Sequence, residues 1–144
     1  MYKIRSKKVL GPGLKLMVVE APEIAAKAQP GQFIILRENE YAERIPLTIA
    51  DFDRQEGTIT IIFPEVGRST RDLGLLEAGD SILDFVGPLG KKSEIEDFGK
   101  VICVGGGVGV APVYPITRAL YEAGNHVVSI IGARNRELLI LEEE

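Results

Sequence analysis

Four glycines fall within five positions in Gly105-Gly106-Gly107-Val108-Gly109, and Val110-Ala111-Pro112 follows them. The run lies between the apolar stretch Val101-Ile102-Cys103-Val104 and a segment whose apolar residues recur at helical spacing. Glycine there lets the backbone turn tightly and come close to an anion, and the unpaired amides and positive end of the following helix favour a diphosphate. Pro112, in the first helical turn, removes no useful donor. Close packing of strand against helix is the other reading of such a turn. The spacing is not the usual Gly-x-Gly-x-x-Gly: counted from Gly107 and Gly109, the third position is Pro112. The next strand ends in Gly132-Ala133-Arg134, so the carboxylate that would hold a ribose is absent. Arg134 is the candidate contact for an adenosine ribose or its phosphate, with plain solvation as the alternative.

Two further patterns carry chemistry. In Arg44-Ile45-Pro46-Leu47-Thr48-Ile49 a regular strand would put Arg44, Pro46 and Thr48 on one face and Ile45, Leu47 and Ile49 on the other. A cation, a rigid ring and a hydroxyl would then line one surface, unless this is an ordinary strand with one exposed Arg. In Pro64-Glu65-Val66-Gly67-Arg68-Ser69-Thr70, a glycine followed by hydroxyls at a helix start can present amides to an anion. Simple capping by Ser69 or Thr70 explains the same residues.

Composition narrows the chemistry. The chain has 144 residues, 45% hydrophobic and 26% charged, enough apolar material for a packed core and against disorder. One cysteine, Cys103, excludes an internal disulfide and a four-thiolate metal site, and it is expected to be buried and inert. The single His126 weakens a three-histidine site or a Ser-His triad and is read as structural, so no metal ligands are assigned. A net charge of −4 argues against nucleic acid as partner. No apolar run approaches the roughly 18–20 residues of a membrane-spanning helix. A cytoplasmic protein using a bound organic cofactor is the expectation.

The elements that must position these residues change character along the chain. Tyr2–Leu10, Leu14–Ala21, Gln32–Arg37, Arg44–Asp51, Thr58–Phe63 and Ser81–Val86 read as six strands separated by Gly and Pro turns, and they suggest a small closed antiparallel barrel. A short helix is expected over Ser69–Leu76. Beyond Gly87-Pro88-Leu89-Gly90 the pattern becomes β-α-β-α. Strands 101–104 and 126–131 are expected to be buried on both faces, with a helix from about Pro112 to Ala123 and a second over Glu137–Glu144. The expected division is a barrel over 1–98 and, over 99–144, the first part of a parallel doubly wound domain too short to be complete.

The three motifs, with Pro30-Gly31-Gln32-Phe33, Gly87-Pro88-Leu89-Gly90 and Gly132-Ala133-Arg134, occur in an order that resembles the ferredoxin–NADP reductase superfamily. The likeness is strongest to electron-transfer subunits of dihydroorotate dehydrogenase and of NADH-dependent ferredoxin:NADP oxidoreductase. It implies an FAD-binding barrel followed by an NAD(P)H-binding domain. By that resemblance Pro46, Leu47 and Thr48 lie along the flavin, with the Thr48 hydroxyl near its reactive nitrogen. Ile62, Phe63 and Pro64 contact the FAD, while Gly67, Arg68, Ser69 and Thr70 hold its pyrophosphate. Gly105, Gly106, Gly107, Val108, Gly109, Ala111 and Pro112 receive the nicotinamide dinucleotide. The family's phosphate-binding Arg falls at Ile45 here, which leaves Arg44, one position back, or Arg68 to supply the charge. The [2Fe-2S] cysteines of full-length relatives have no counterpart, since Cys103 cannot replace four thiolates.

The function so implied is transfer of reducing equivalents between NAD(P)H and an iron–sulfur partner through FAD, within an assembly whose larger subunit carries iron–sulfur or flavin centres. Ferredoxin is a further possible partner. The rival reading is a non-catalytic flavin- and nucleotide-binding module acting in assembly or regulation.

Overall fold

The computed structural model describes residues 1–144. The first part contains β1 (Tyr2–Gly11), β2 (Leu14–Glu20), the single turn α1 (Pro22–Ala25), β3 (Phe33–Arg37), β4 (Ile45–Asp53) and β5 (Thr58–Pro64). α2 (Arg68–Gly74), β6 (Ser81–Ile82) and β7 (Asp84–Leu89) complete it. The seven strands form one sheet in the order β6-β1-β2-β5-β4-β3-β7, antiparallel at every pairing. Its two end strands are consecutive in sequence and separated only by Leu83, so the sheet curls round to a nearly closed barrel. The expected count of six strands is corrected to seven. Ser81–Val86 divides at Leu83, because the chain leaves its pairing with β1 there and begins a new ladder on β3 at Arg37↔Asp84.

Inward-facing residues fill the barrel with a core of 16 buried side chains, including Ile4, Met17, Ile34, Ile59, Ile61, Phe63 and Phe85. Two separated motifs meet at one end of it. Gly31, at φ +94°, packs against Ser93, Gln32 Nε2 donates to the carbonyl of Gly90 at 2.9 Å, and Phe33 pairs with Leu89. A side chain at Gly31 would be both strained and crowded there.

The second part contains β8 (Lys100–Gly106), a 3-10 turn at Gly107–Gly109, α3 (Val110–Glu122) and β9 (His126–Gly132). β8 and β9 pair in parallel from Lys100↔His126 to Gly106↔Gly132. The helix starts two residues before Pro112, which therefore occupies its third position. The strands are not buried on both faces: Ile102 is 62%, Val104 63% and Ile130 52% exposed. A single helix covers a single face of a two-stranded sheet, and the face opposite α3 stays open. No helix is long and apolar enough to cross a membrane.

The helix expected over Glu137–Glu144 is also corrected. Residues 136–138 form only a 3-10 turn, whose Leu138 amide donates to the Asn135 side chain at 3.2 Å. The apolar residues Leu138-Leu139-Ile140-Leu141 run consecutively instead of at helical spacing, and the segment crosses back to the barrel. Ile140 is buried in a second cluster with Leu14, Ala50, Ile62, Val110 and Ala111, and Leu138 and Leu141 pack beside it. Glu137 meanwhile lies against Gly11. Truncating this strap residue, Ile140→Ala, is expected to lower unfolding free energy by about 2–4 kcal/mol, measured by urea denaturation with the barrel's strand signal retained.

Candidate functional site

The outer face of β4 organises the site. Ile45, Leu47 and Ile49 pack toward the barrel core, which leaves Pro46 exposed and Thr48 partly exposed on the opposite face. A bulge then interrupts the ladder: Ile49 pairs with Ile61 and Asp51 with Thr60, so Ala50 has no residue opposite it. A bulge resets the alternation and adds twist. Ala50 and Asp51 consequently both serve the outer side, Ala50 packing with Val110 and Ala111 and Asp51 bonding Arg118 of α3. Ile62 of β5 joins the same cluster. Through Ala50 and Ile62 the outer side of β4 and β5 thus packs against the start of α3, directly after the Gly107–Gly109 turn.

The glycines of the turn divide into two kinds. A Cβ at Gly105 would lie 2.9 Å from Val110 Cα, so this glycine exists for close packing of strand and helix. Gly106, Gly107 and Gly109 have nothing within 4 Å of where a Cβ would stand. Gly107 takes φ +56°, a conformation that other residues adopt at a cost. Amides at a helix start have no intrahelical acceptor, and no side chain caps Gly106 or Gly109. Close packing of strand and helix therefore accounts for Gly105 but not for Gly106, Gly107 and Gly109. Val108, Ala111 and Pro112 complete the turn, with Ala111 buried against the barrel. Arg134, beyond β9, is exposed.

The loop before α2 is arranged differently. The N-cap is Gly67, not Ser69 or Thr70. The Thr70 hydroxyl oxygen accepts from the amides of Val66 at 3.1 Å and Gly67 at 3.2 Å, so it stiffens the loop from within. Ser69 Oγ donates to Glu43 Oε2 at 3.1 Å, bringing the residue before Arg44 to the start of the helix. Gly67 is open on its Cβ side. Arg68 is 94% exposed with only a loose 3.6 Å ion pair to Asp72. Arg44 is 61% exposed and lies 3.3 Å from Asp84, a carboxylate that Arg37 already holds at 2.7 Å. Arg68 thus stands in this loop with little to neutralise its charge, whereas the Arg44 guanidinium is drawn to Asp84. Phe63 is fully buried in the barrel core, so only its backbone is available to a ligand, while Pro64 is partly exposed.

Residues that the motifs did not point to hold the parts together. Asn125 is buried; its Nδ2 donates to the carbonyls of Glu96 at 2.7 Å and Leu120 at 2.8 Å, and its Oδ1 accepts from the Phe98 amide. Arg118 stands between two cavities of about 650 and 490 Å³, lining both. Its guanidinium lies 5.4 Å from the Tyr114 ring, and its hydrogen bond to Asp51 holds its pKa above the ordinary arginine value. Cys103, expected to be buried, is half-buried and lines the larger cavity. His126 has an exposed side chain and contributes its amide to the Gly99 carbonyl at 2.7 Å.

An antiparallel barrel docked to a β-α-β unit, with a glycine turn facing the barrel's outer strands, is the ferredoxin reductase-like fold. A solved structure of NADH-dependent reduced ferredoxin-NADP oxidoreductase, studied for flavin-based electron bifurcation, superimposes with a TM-score of 0.97. It is 43% identical and matches 99% of this chain and 52% of its own. The chain is likewise homologous to the dihydroorotate dehydrogenase B (NAD(+)) electron transfer subunit homolog of Thermotoga maritima, 48% identical over 126 residues. That match covers 88% of this chain and 45% of the relative. An uncharacterized protein in the adh 3′ region of Clostridium beijerinckii is 51% identical over 151 residues, covering 100% of this chain and 51% of the relative. No family model matches the sequence. The chain spans about half the length of the curated relatives it matches. Its homologues are named as electron-transfer subunits of oxidoreductases, and the seven-stranded barrel and parallel unit follow their fold.

The packing role of Gly105 is open to direct test. Gly105→Ala is expected to push β8 away from Val110 and cost about 1–3 kcal/mol, read as a lower unfolding midpoint without any ligand present.

Proposed function

We propose that this chain is the FAD-binding part of an electron-transfer subunit that passes reducing equivalents between NAD(P)H and an iron–sulfur partner, with residues 1–98 as the flavin barrel and 99–144 as the start of the nucleotide domain. The observation that carries the reading is the Gly106–Gly109 turn, open at its glycines and without a side-chain cap, at the start of the helix that packs on the outer side of β4 and β5. The second glycine loop, at Gly67, is also open on its Cβ side, with Arg68 following it and Ser69 bonded to Glu43, the residue before Arg44. Two such turns, one per lobe, suit two dinucleotides.

FAD, when bound, would supply the chemistry of accepting a hydride from a reduced nicotinamide and releasing electrons singly. The chain's residues orient and bind. Pro46 and Thr48 would line the ring, Thr48 giving a hydroxyl, while Leu47 and Phe63 hold the strands from inside the core. Ile62 and Pro64 would border the cofactor. The amides after Gly67, Ser69 and the guanidinium groups of Arg44 and Arg68 would meet its pyrophosphate, with Thr70 bracing the loop. Gly106, Gly107, Val108 and Gly109 would take the nicotinamide dinucleotide, and Arg134 its adenosine end. A hydride transfer between two rings held face to face needs no protein acid or base, so alignment is the protein's contribution. Cys103 alone does not fit an iron–sulfur cluster, so none is assigned to residues 1–144.

Reconstitution with FAD and titration with NADH and NADPH test this directly. A yellow protein that either nucleotide bleaches is expected; bound flavin that neither bleaches would point to a binding module, and failure to bind FAD would end both readings. Thr48→Val should leave FAD bound but slow its reduction or shift its potential, by an effect of about 2–10-fold in rate, the scale of one hydrogen bond. Gly109→Ala, which meets no neighbour, should leave stability unchanged yet weaken NADH binding about tenfold (~1.4 kcal/mol), seen in the concentration dependence of bleaching.

A further inference from the structure

Arg118 and Asp51 form an ion pair between α3 and β4, with Arg118 Nη2 donating to Asp51 Oδ1. Three features separate it from an ordinary surface pair. Both side chains are about two-thirds buried, at 34% and 33% exposure. The Asp51 carboxylate oxygen that Arg118 reaches also accepts the Phe52 amide at 2.8 Å, so the carboxylate is held in place from its own strand. The Arg118 guanidinium is in turn braced by the Tyr114 ring one helical turn earlier. Each partner also stands a fixed step from one half of the proposed site. Asp51 is three residues beyond Thr48 on the same strand, across the bulge. Arg118 lies on the helix that begins directly after the Gly107–Gly109 turn. The interlobe cluster of Ala50, Ile62, Val110, Ala111 and Ile140 is apolar and undirected, so it resists separation but does not by itself set an angle. A charge-assisted hydrogen bond between two braced groups does set one.

We infer that the Arg118–Asp51 pair is a positioning device that fixes the separation and angle between the flavin strand and the nucleotide turn. This rests on the assignment of the two turns proposed above. The pair touches neither dinucleotide in this scheme; it acts through β4 and α3. A small error in ring alignment costs rate steeply, on the scale of 10²-fold for an ångström, whereas each dinucleotide's own contacts lie within one lobe and are indifferent to the angle.

The test compares the parent chain with Arg118→Gln, Asp51→Asn, Arg118→Lys and the double variant Asp51→Asn/Arg118→Gln. FAD affinity should stay within about twofold of the parent and the flavin potential should not move, while the rate of flavin reduction by NADH falls about tenfold or more in Arg118→Gln and in Asp51→Asn. The double variant should be no slower than the singles, because they break one interaction, and Arg118→Lys should recover part of the rate. Single variants that reduce flavin at the parent rate, or effects that simply add in the double variant, would overturn the inference.

A second arm needs no cofactor. Dipolar distances between spin labels at Lys8→Cys and His126→Cys, both exposed positions, in a Cys103→Ser background should broaden on Arg118→Gln and narrow again on Arg118→Lys. An unchanged distribution would sink the pair as a positioning device even if the parent chain proves not to bind FAD, an outcome that would count against the proposed function alone.

Discussion

The docking of α3 on the outer face of β4 is the constraint on which the site depends, and a single extra residue makes it possible. A regular strand alternates sides, so Ala50 and Asp51 would face opposite ways. The bulge at Ala50 lets both serve the outside, one small enough for Val110 and Ala111 to approach, the other charged and paired with Arg118. Phe52 then returns to the barrel core. Without that reset, the helix would meet the Phe52 ring, and the Asp51 carboxylate would turn inward, away from Arg118.

The glycine turn shows two physical demands satisfied by neighbouring residues of one type. Gly105 is required because the backbone of Val110 occupies the space a side chain would need. Gly106, Gly107 and Gly109 face open space, with helix-start amides uncapped. At the other loop, the hydroxyl of Thr70 is consumed by the amides of Val66 and Gly67, so that loop is braced by its own side chain before any ligand arrives. The two turns reach similar openness by different means, one by glycine content and the other by an internal hydroxyl.

The β-α-β lobe is held to the barrel from two directions. Helix α3 approaches from the side of β4 and β5, and the strap carrying Ile140 returns along the end of β1 and β2. The opposite face of the β8–β9 sheet presents Ile102, Val104 and Ile130 openly, an unusual condition for parallel strands. The chain matches about half the length of its relatives. The half it matches contains the barrel, the glycine turn and the first parallel pair.

Much of this molecule was legible in the amino-acid order because its signals are local. Alternation along Leu14–Ala21 and Thr58–Phe63 specified strands, and the glycine run between an apolar strand and a helical pattern located the turn. Period two put Pro46 and Thr48 on one face of their strand, and the core packing of Ile45, Leu47 and Ile49 turned that face outward. What failed were the readings that depended on neighbours far along the chain. The split at Leu83 arises from ladder partners on β1 and β3, and the bulge at Ala50 arises from the register of β5. Neither has a sequence mark of its own. The run Leu138–Leu141 became a strap because a groove existed between barrel and helix to receive it, and Arg118 gained a role only when Asp51 was brought within reach. Local backbone preference and side-chain period are written residue by residue, but pairing register and burial belong to surfaces that exist only after the chain has folded.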